Sequence, residues 1–114
     1  MFNGIIFNTG KVIFIKKRKD SISISILTNL KFSKKDLGSS VSCDGVCLTI
    51  TAIKKKMINF YISKETLNRS TFKSIKINQI INLEKSLSYG QKISGHFSQG
   101  HVDTTASIKK IKFL

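Results

Sequence analysis

Residues 41–52 read VSCDGVCLTITA. Asp44-Gly45 stands between two apolar stretches, and this pair suits a type I′ turn because both residues tolerate positive φ. The segment therefore predicts a β-hairpin. Working outward, the lysines at 54–56 join CLTITAI (47–53) to MINFYIS (57–63) as a second hairpin. SISISI at 21–26 alternates without fault and puts its isoleucines on one face of a strand. GKVIFIKK (10–17) and QIINLE (79–84) are also rich in β-branched residues. About six short strands at close spacing predict a small closed barrel or sandwich. Closure would leave no free sheet edge. SKETLNRS (63–70) is the one short helical candidate, with Ser63 as its cap and Glu65 in its first turn.

The chain has 114 residues, enough for one small domain with its own core. Its apolar share of 40% sets it apart from disordered sequences. No apolar run approaches a membrane span, and MFNGIIF is a poor secretion signal. Two cysteines without such a signal predict reduced thiols and a cytoplasmic protein.

The formal charge is +14, from 18 Lys and 2 Arg against six acids. Lys, Ile, Asn, Ser and Phe are all over-used, Pro and Trp are absent, and Ala appears twice. Those preferences follow A/T-rich codons as a group. The lysines sit in clumps at expected turns and strand ends, without interleaved aromatics for base stacking. Solvated strand ends account for them better than specific nucleic-acid binding, leaving only weak, salt-sensitive attraction to polyanions.

A repeat supplies the domain organisation. Moved back by 96 positions, Gly100 falls on Gly4, Thr105 on Thr9, Ile108 on Val12, Ile111 on Ile15 and Lys112 on Lys16. The expected plan is a barrel over 1–87, a Gly/Ser-rich linker over 88–99, and the first strand of a second, truncated repeat over 100–114.

Few residues carry chemistry. Cys43/Cys47 and His96/His101 each have zinc-finger spacing, but Cys47 and His96 stand 49 positions apart where about 12 to 15 is usual. Alternation puts Cys47, Thr49 and Thr51 on one strand face and Leu48 and Ile50 on the other, toward the core. The Cys47 face is either a polar pocket lining or a small packed thiol. There is no paired-carboxylate pattern and no Gly-rich phosphate loop. His96 reads as an exposed linker residue. His101, at a repeat-equivalent position, is a candidate for acid–base work.

Four blocks in this order, MFNGII (1–6), SSVSCDGVCLTIT (39–51), SKETLNRST (63–71) and INLEKSL with SGHFSQGHVDTTA (81–106), resemble the N-terminal half of riboflavin synthases. The resemblance implies an all-β fold, a six-stranded antiparallel Greek-key barrel per repeat. It implies a reaction without metal or cofactor. Two 6,7-dimethyl-8-ribityllumazine molecules dismutate to riboflavin and a ribitylamino-pyrimidinedione, in a site formed where two barrels of different subunits meet. A homotrimer is implied for a full-length protein, and a homodimer through uncovered apolar faces is expected for this length of chain. No specific nucleic acid and no membrane are expected as partners.

Carried over by position, the resemblance implies that Gly4, Ile5 and Ile6 meet the pteridine ring in the same pocket as Cys47, Leu48 and Thr49. Tyr61, Ile62, Ser63, Lys64, Glu65 and Thr66 would close that pocket, with Glu65 and Thr66 toward the ribityl hydroxyls. Gly100, His101 and Val102 are expected to belong to the second barrel's pocket. Ser40, Cys47 and His101 are the implied proton-transfer residues. Ser74 and Ser94 stand where the family usually has glycine. A non-catalytic lumazine or flavin carrier is the alternative of the same fold.

Overall fold

The computed structural model describes residues 1–87 and 97–114. Six strands form a closed antiparallel barrel: β1 (Asn8–Lys17), β2 (Ile22–Thr28), β3 (Ser40–Cys43), β4 (Val46–Lys54), β5 (Met57–Ile62) and β6 (Ile80–Lys85). Around the barrel their order is β1-β2-β5-β4-β3-β6, and β6 pairs with β1 to close it. Three connections are tight hairpins or near-hairpins in the ring, and β2 to β3 and β5 to β6 cross over, giving the Greek-key arrangement.

Both expected hairpins form. Asp44 and Gly45 have φ of 49° and 84°, the two positive values that the type I′ turn requires. Lys55 supplies a positive φ between β4 and β5.

Period two decides what lies inside. Ile22, Ile24 and Ile26 of β2 face the core, as do Leu48 and Ile50 of β4 and Ile58, Phe60 and Ile62 of β5. Val41 of β3 and Ile81 and Leu83 of β6 complete the walls. Each such side chain contributes roughly 1.5–3 kcal/mol by leaving water. The interior is tight at Gly10: a Cβ there would stand 2.8 Å from Leu83 Cδ1 and collide with Ile26. Phe72 and Ile75, from the 3-10 turn Thr71–Ser74 and the residue after it, join this core.

The long β2–β3 connection is pinned to β6. Lys85 Nζ donates to Asp36 Oδ2 at 3.2 Å and to the Lys31 carbonyl at 3.0 Å, and lies 5.0 Å from the centre of the Phe32 ring.

The expected strand over 100–114 does not form. Residues 99–114 carry no strand, and the closed barrel offers them no complete free edge. Two main-chain anchors tie the segment 97–102 down instead. Phe2 and Ser98 form an isolated antiparallel bridge, and Cys47 N–H donates to the Gly100 carbonyl at 2.9 Å. His96 and residues 88–96 of the expected linker lie outside the described residues.

Candidate functional site

The site grows from the far end of β4. The β4–β5 ladder runs from Ile50–Phe60 to Lys54–Met57, so Val46–Thr49 extend beyond it. Gly100 docks on that extension by taking the Cys47 N–H. The approach is close enough to require glycine. A Cβ on Gly100 would lie 2.9 Å from Cys47 Cβ and 3.0 Å from Cys47 N, and its φ is +75°.

The second wall is helix α1 (Lys64–Arg69), which follows β5 directly. Ser63 caps it, accepting the Thr66 N–H at 3.3 Å, while its hydroxyl lies 3.2 Å from Thr66 Oγ1. Glu65 and Arg69, one turn apart, pair at 3.2 Å. Between this helix and β4 lies a cavity of about 160 Å³. Cys47, Glu65 and Thr66 line it together with Gly100, His101 and Val102. Val46 and Arg69 complete its lining; neither is in the implied residue set. The i,i+4 pairing with Glu65 is the signal that would have found Arg69.

Gly100, His101 and Val102 were expected in a second barrel's pocket; the structure sets them against the first. Gly100 and Gly4, which the repeat offset pairs, both have positive φ. Equivalent residues need not serve their own barrel, however, and here the later segment folds back onto the earlier one.

Gly4 and Ile6 do not share the Cys47 cavity. They line a neighbouring one of about 310 Å³ with Phe2, Ser42 and Glu84, separated from the first by Gly100, which borders both. Ile5 points to a third hollow beside Asn3 and Phe7. The Glu84 carboxylate fixes this segment, accepting Asn3 N–H at 2.7 Å and Gly4 N–H at 3.0 Å. Nothing in the sequence links positions 3 and 84; only barrel closure brings them together.

Strand alternation sorts the remaining candidates. Ser40 is paired with Thr49, and Ser42 with Cys47, so all four present on the outer face of the β3–β4 hairpin. Leu48 and Ile62 are in the core, so only their main chain can meet a ligand outside the barrel. Tyr61 is on the outer face and half exposed. Lys64 faces the opposite side of α1, where it meets Asp20 at 3.9 Å, away from Cys47.

The two thiols differ. Cys43 is fully buried, and burial pushes its pKa well above the ordinary value, with smaller upward contributions from Asp44 and Cys47. It is a core residue. Cys47 is half-buried at the cavity and free of any disulfide. The cavity therefore combines a thiol, a carboxylate, a hydroxyl and an imidazole around a small concave surface. Such a set can hold a flat polar ligand and exchange protons with it.

Comparison with known proteins supplies the family. Residues 3–86 match the family described as Lumazine binding domain. The riboflavin synthase of Buchnera aphidicola subsp. Baizongia pistaciae is 36% identical over 115 residues, covering 100% of this chain and 54% of that protein. That of Chlamydia pneumoniae is 39% identical over 113 residues, covering 98% and 56%. This chain thus spans about half the length of the curated relatives it matches. Among solved structures, LumP complexed with 6,7-dimethyl-8-(1'-D-ribityl) lumazine superposes with a TM-score of 0.74 at 25% identity, covering 91% of this chain and 58% of that one. LumP complexed with riboflavin gives 0.75 at 25% identity, covering 91% and 56%. With a matching barrel, a matching sequence and these relatives, the chain belongs to the lumazine-binding domain family.

Proposed function

We propose that this chain is the lumazine-holding N-terminal half of a riboflavin synthase. In this reading it binds one 6,7-dimethyl-8-ribityllumazine against β4, α1 and residues 100–102. The observation that carries the reading is the Cys47–Gly100 hydrogen bond, because it gathers separate stretches of the implied site around one cavity. Cys47 and Thr49 would meet the ring and ribityl chain from the strand, Glu65 and Thr66 from the helix, and His101 and Val102 from the returning segment.

The cavity's 160 Å³ is about half the lower bound of ordinary small-molecule sites, about 300 Å³. A bicyclic ring with its ribityl chain needs more wall, which a facing barrel of another subunit would supply. Two ring systems held face to face could gain up to roughly 7–11 kcal/mol from orientation alone. Ser40, Cys47 and His101 would then assist by moving protons, from the acidic methyl group of one lumazine and to the carbons of the other.

The Phe2–Ser98 bridge supports a two-barrel plan. These residues are 96 positions apart, as are Gly4 and Gly100. In a longer chain with a second barrel after residue 100, the same relation would lay Gly4–Ile6 against that barrel, as Gly100–Val102 lie against this one.

A carrier without turnover is the second reading, favoured by the similarity to LumP complexes with lumazine and riboflavin. Fluorescence titration of this chain with 6,7-dimethyl-8-ribityllumazine tests binding, and riboflavin formation by the full-length chain separates enzyme from carrier. Saturable lumazine binding with turnover supports the synthase. Binding without turnover supports the carrier. Absence of a ligand signal together with salt-resistant oligonucleotide binding defeats both.

A further inference from the structure

Helix α1 has a second face. Glu65, Thr66 and Arg69 look onto the Cys47 cavity, whereas Lys64, Leu67 and Asn68, spaced i, i+3 and i+4, border a separate cavity of about 310 Å³. The β1–β2 turn and the 3-10 turn at Thr71–Ser74 form its other walls. Its floor is apolar: Ile22, Phe72 and Ile75 come up from the core. Its rim is cationic, with Lys17, Arg18, Lys19, Lys64 and Lys73 around a single carboxylate, Asp20. Lys64 already engages that carboxylate. The other four cations have no ion-pair partner among the described residues.

We propose that this cavity is a second binding site, for a small organic phosphate monoester. A dianionic phosphate answers the surplus of unpaired cations, and Arg18 offers the planar fork that grips phosphate by two bonds. The apolar floor takes the organic body, and the volume falls at the small end of metabolite sites. Composition explains why this chain has many lysines. It does not explain why one of its two arginines and four lysines ring a concavity floored by Phe72. A polymer backbone fits less well, because Phe72 is buried and, among the described residues, no exposed aromatic lines the rim for stacking.

The test is calorimetric titration of this chain at about 0.15 M salt, where diffuse attraction is largely screened. Phenyl phosphate, inorganic phosphate and phenol serve as probes. Saturable phenyl phosphate binding, about tenfold tighter than inorganic phosphate and with phenol silent, is expected. Arg18→Gln with Lys73→Gln should weaken phenyl phosphate about tenfold or more, while Lys34→Gln with Lys35→Gln, at another exposed basic clump, should not. All four side chains are exposed, so these variants should keep the fold, checked by circular dichroism. Equal binding of the two phosphates, equal weakening by both variant pairs, or no saturable binding would overturn the proposal. So would displacement of phenyl phosphate by an oligonucleotide that binds more tightly with the same dependence on Arg18 and Lys73.

Discussion

Phe2 and Ser98 exchange both of their main-chain hydrogen bonds, N–H to carbonyl at 2.7 Å one way and 2.8 Å the other. The two residues are also separated by the repeat offset of 96. Phe2 is buried and Ser98 exposed, so the bridge anchors the returning segment to the barrel more than it supports the barrel itself. Ser98→Pro removes one of the two donors. It should cost about 1 kcal/mol of stability, the worth of an ordinary hydrogen bond. If the proposed site is right, lumazine affinity should fall by about tenfold or more, because Gly100–Val102 lose their tether. Thermal melts and fluorescence titration of one preparation give both numbers. Unchanged affinity would mean that the segment docks without the bridge.

Gly100 carries the sharper version of the same prediction. Alanine there would need a positive φ and would press its Cβ to 2.9 Å from Cys47 Cβ. The segment must then lift off β4. Gly100→Ala should abolish measurable lumazine binding and leave the barrel's melting temperature within a few degrees, about 1 kcal/mol for a domain of this size. A large loss of stability with retained binding would contradict the assignment.

Why the barrel was readable from the chain and the site only partly so follows from where the information sits. Asp44-Gly45, the isoleucines of SISISI and the alternation of Leu48 and Ile50 are local signals, and local geometry obeyed them. Ser63 likewise announced the helix it caps. The grouping of Gly4 with Cys47 is a long-range inference, and the structure sets the two on adjoining cavities that share Gly100. Gly4 is held by Glu84, across the β1–β6 closure, and Cys47 is met by Gly100, from beyond residues 88–96. Neither contact has a sequence period to betray it. Lys64 and Glu65 are neighbours in the chain, yet helical rotation sends them to opposite cavities.

Gly10 tests the closure itself. It is buried in β1, facing Thr28 on β2 and Ile81 on β6, and a Cβ there would run into the Ile26 and Leu83 side chains. Gly10→Val should destabilise by about 1–3 kcal/mol through overpacking, in spite of valine's better strand propensity. Urea unfolding at constant m-value would measure it. A stabilised variant would mean that β1 and β6 are less tightly joined than described.

The thiols give a chemical test of the cavity. Cys43 is buried and its pKa is raised by desolvation, so it stays a neutral, shielded thiol. Cys47 opens on the cavity. Iodoacetamide on the native chain should therefore label Cys47 alone, with Cys43 labelled only after unfolding. Saturating lumazine should slow the Cys47 reaction several-fold. Peptide mapping by mass spectrometry reads both sites, and labelling of native Cys43 would argue against the packed hairpin.

Asp36 ties acid stability to the β2–β3 connection. Ser33 N–H donates to its carboxylate at 2.8 Å and lowers its pKa below the ordinary 3.8; partial burial opposes this, and the bond and charge of Lys85 assist it. A carboxyl group whose folded pKa is depressed stabilises the fold above its unfolded pKa. That contribution is lost as pH falls through the folded value. Asp36→Asn should therefore cost about 1 kcal/mol at about pH 7, where the carboxylate interactions are fully present. The gap between wild type and variant should narrow as the pH drops below 3.8, where the wild-type group takes up its proton. Urea titrations of both proteins across that range measure the gap directly. A gap that stays constant with pH would assign the loss to packing of the Phe32–Lys85 corner and not to the charge on Asp36.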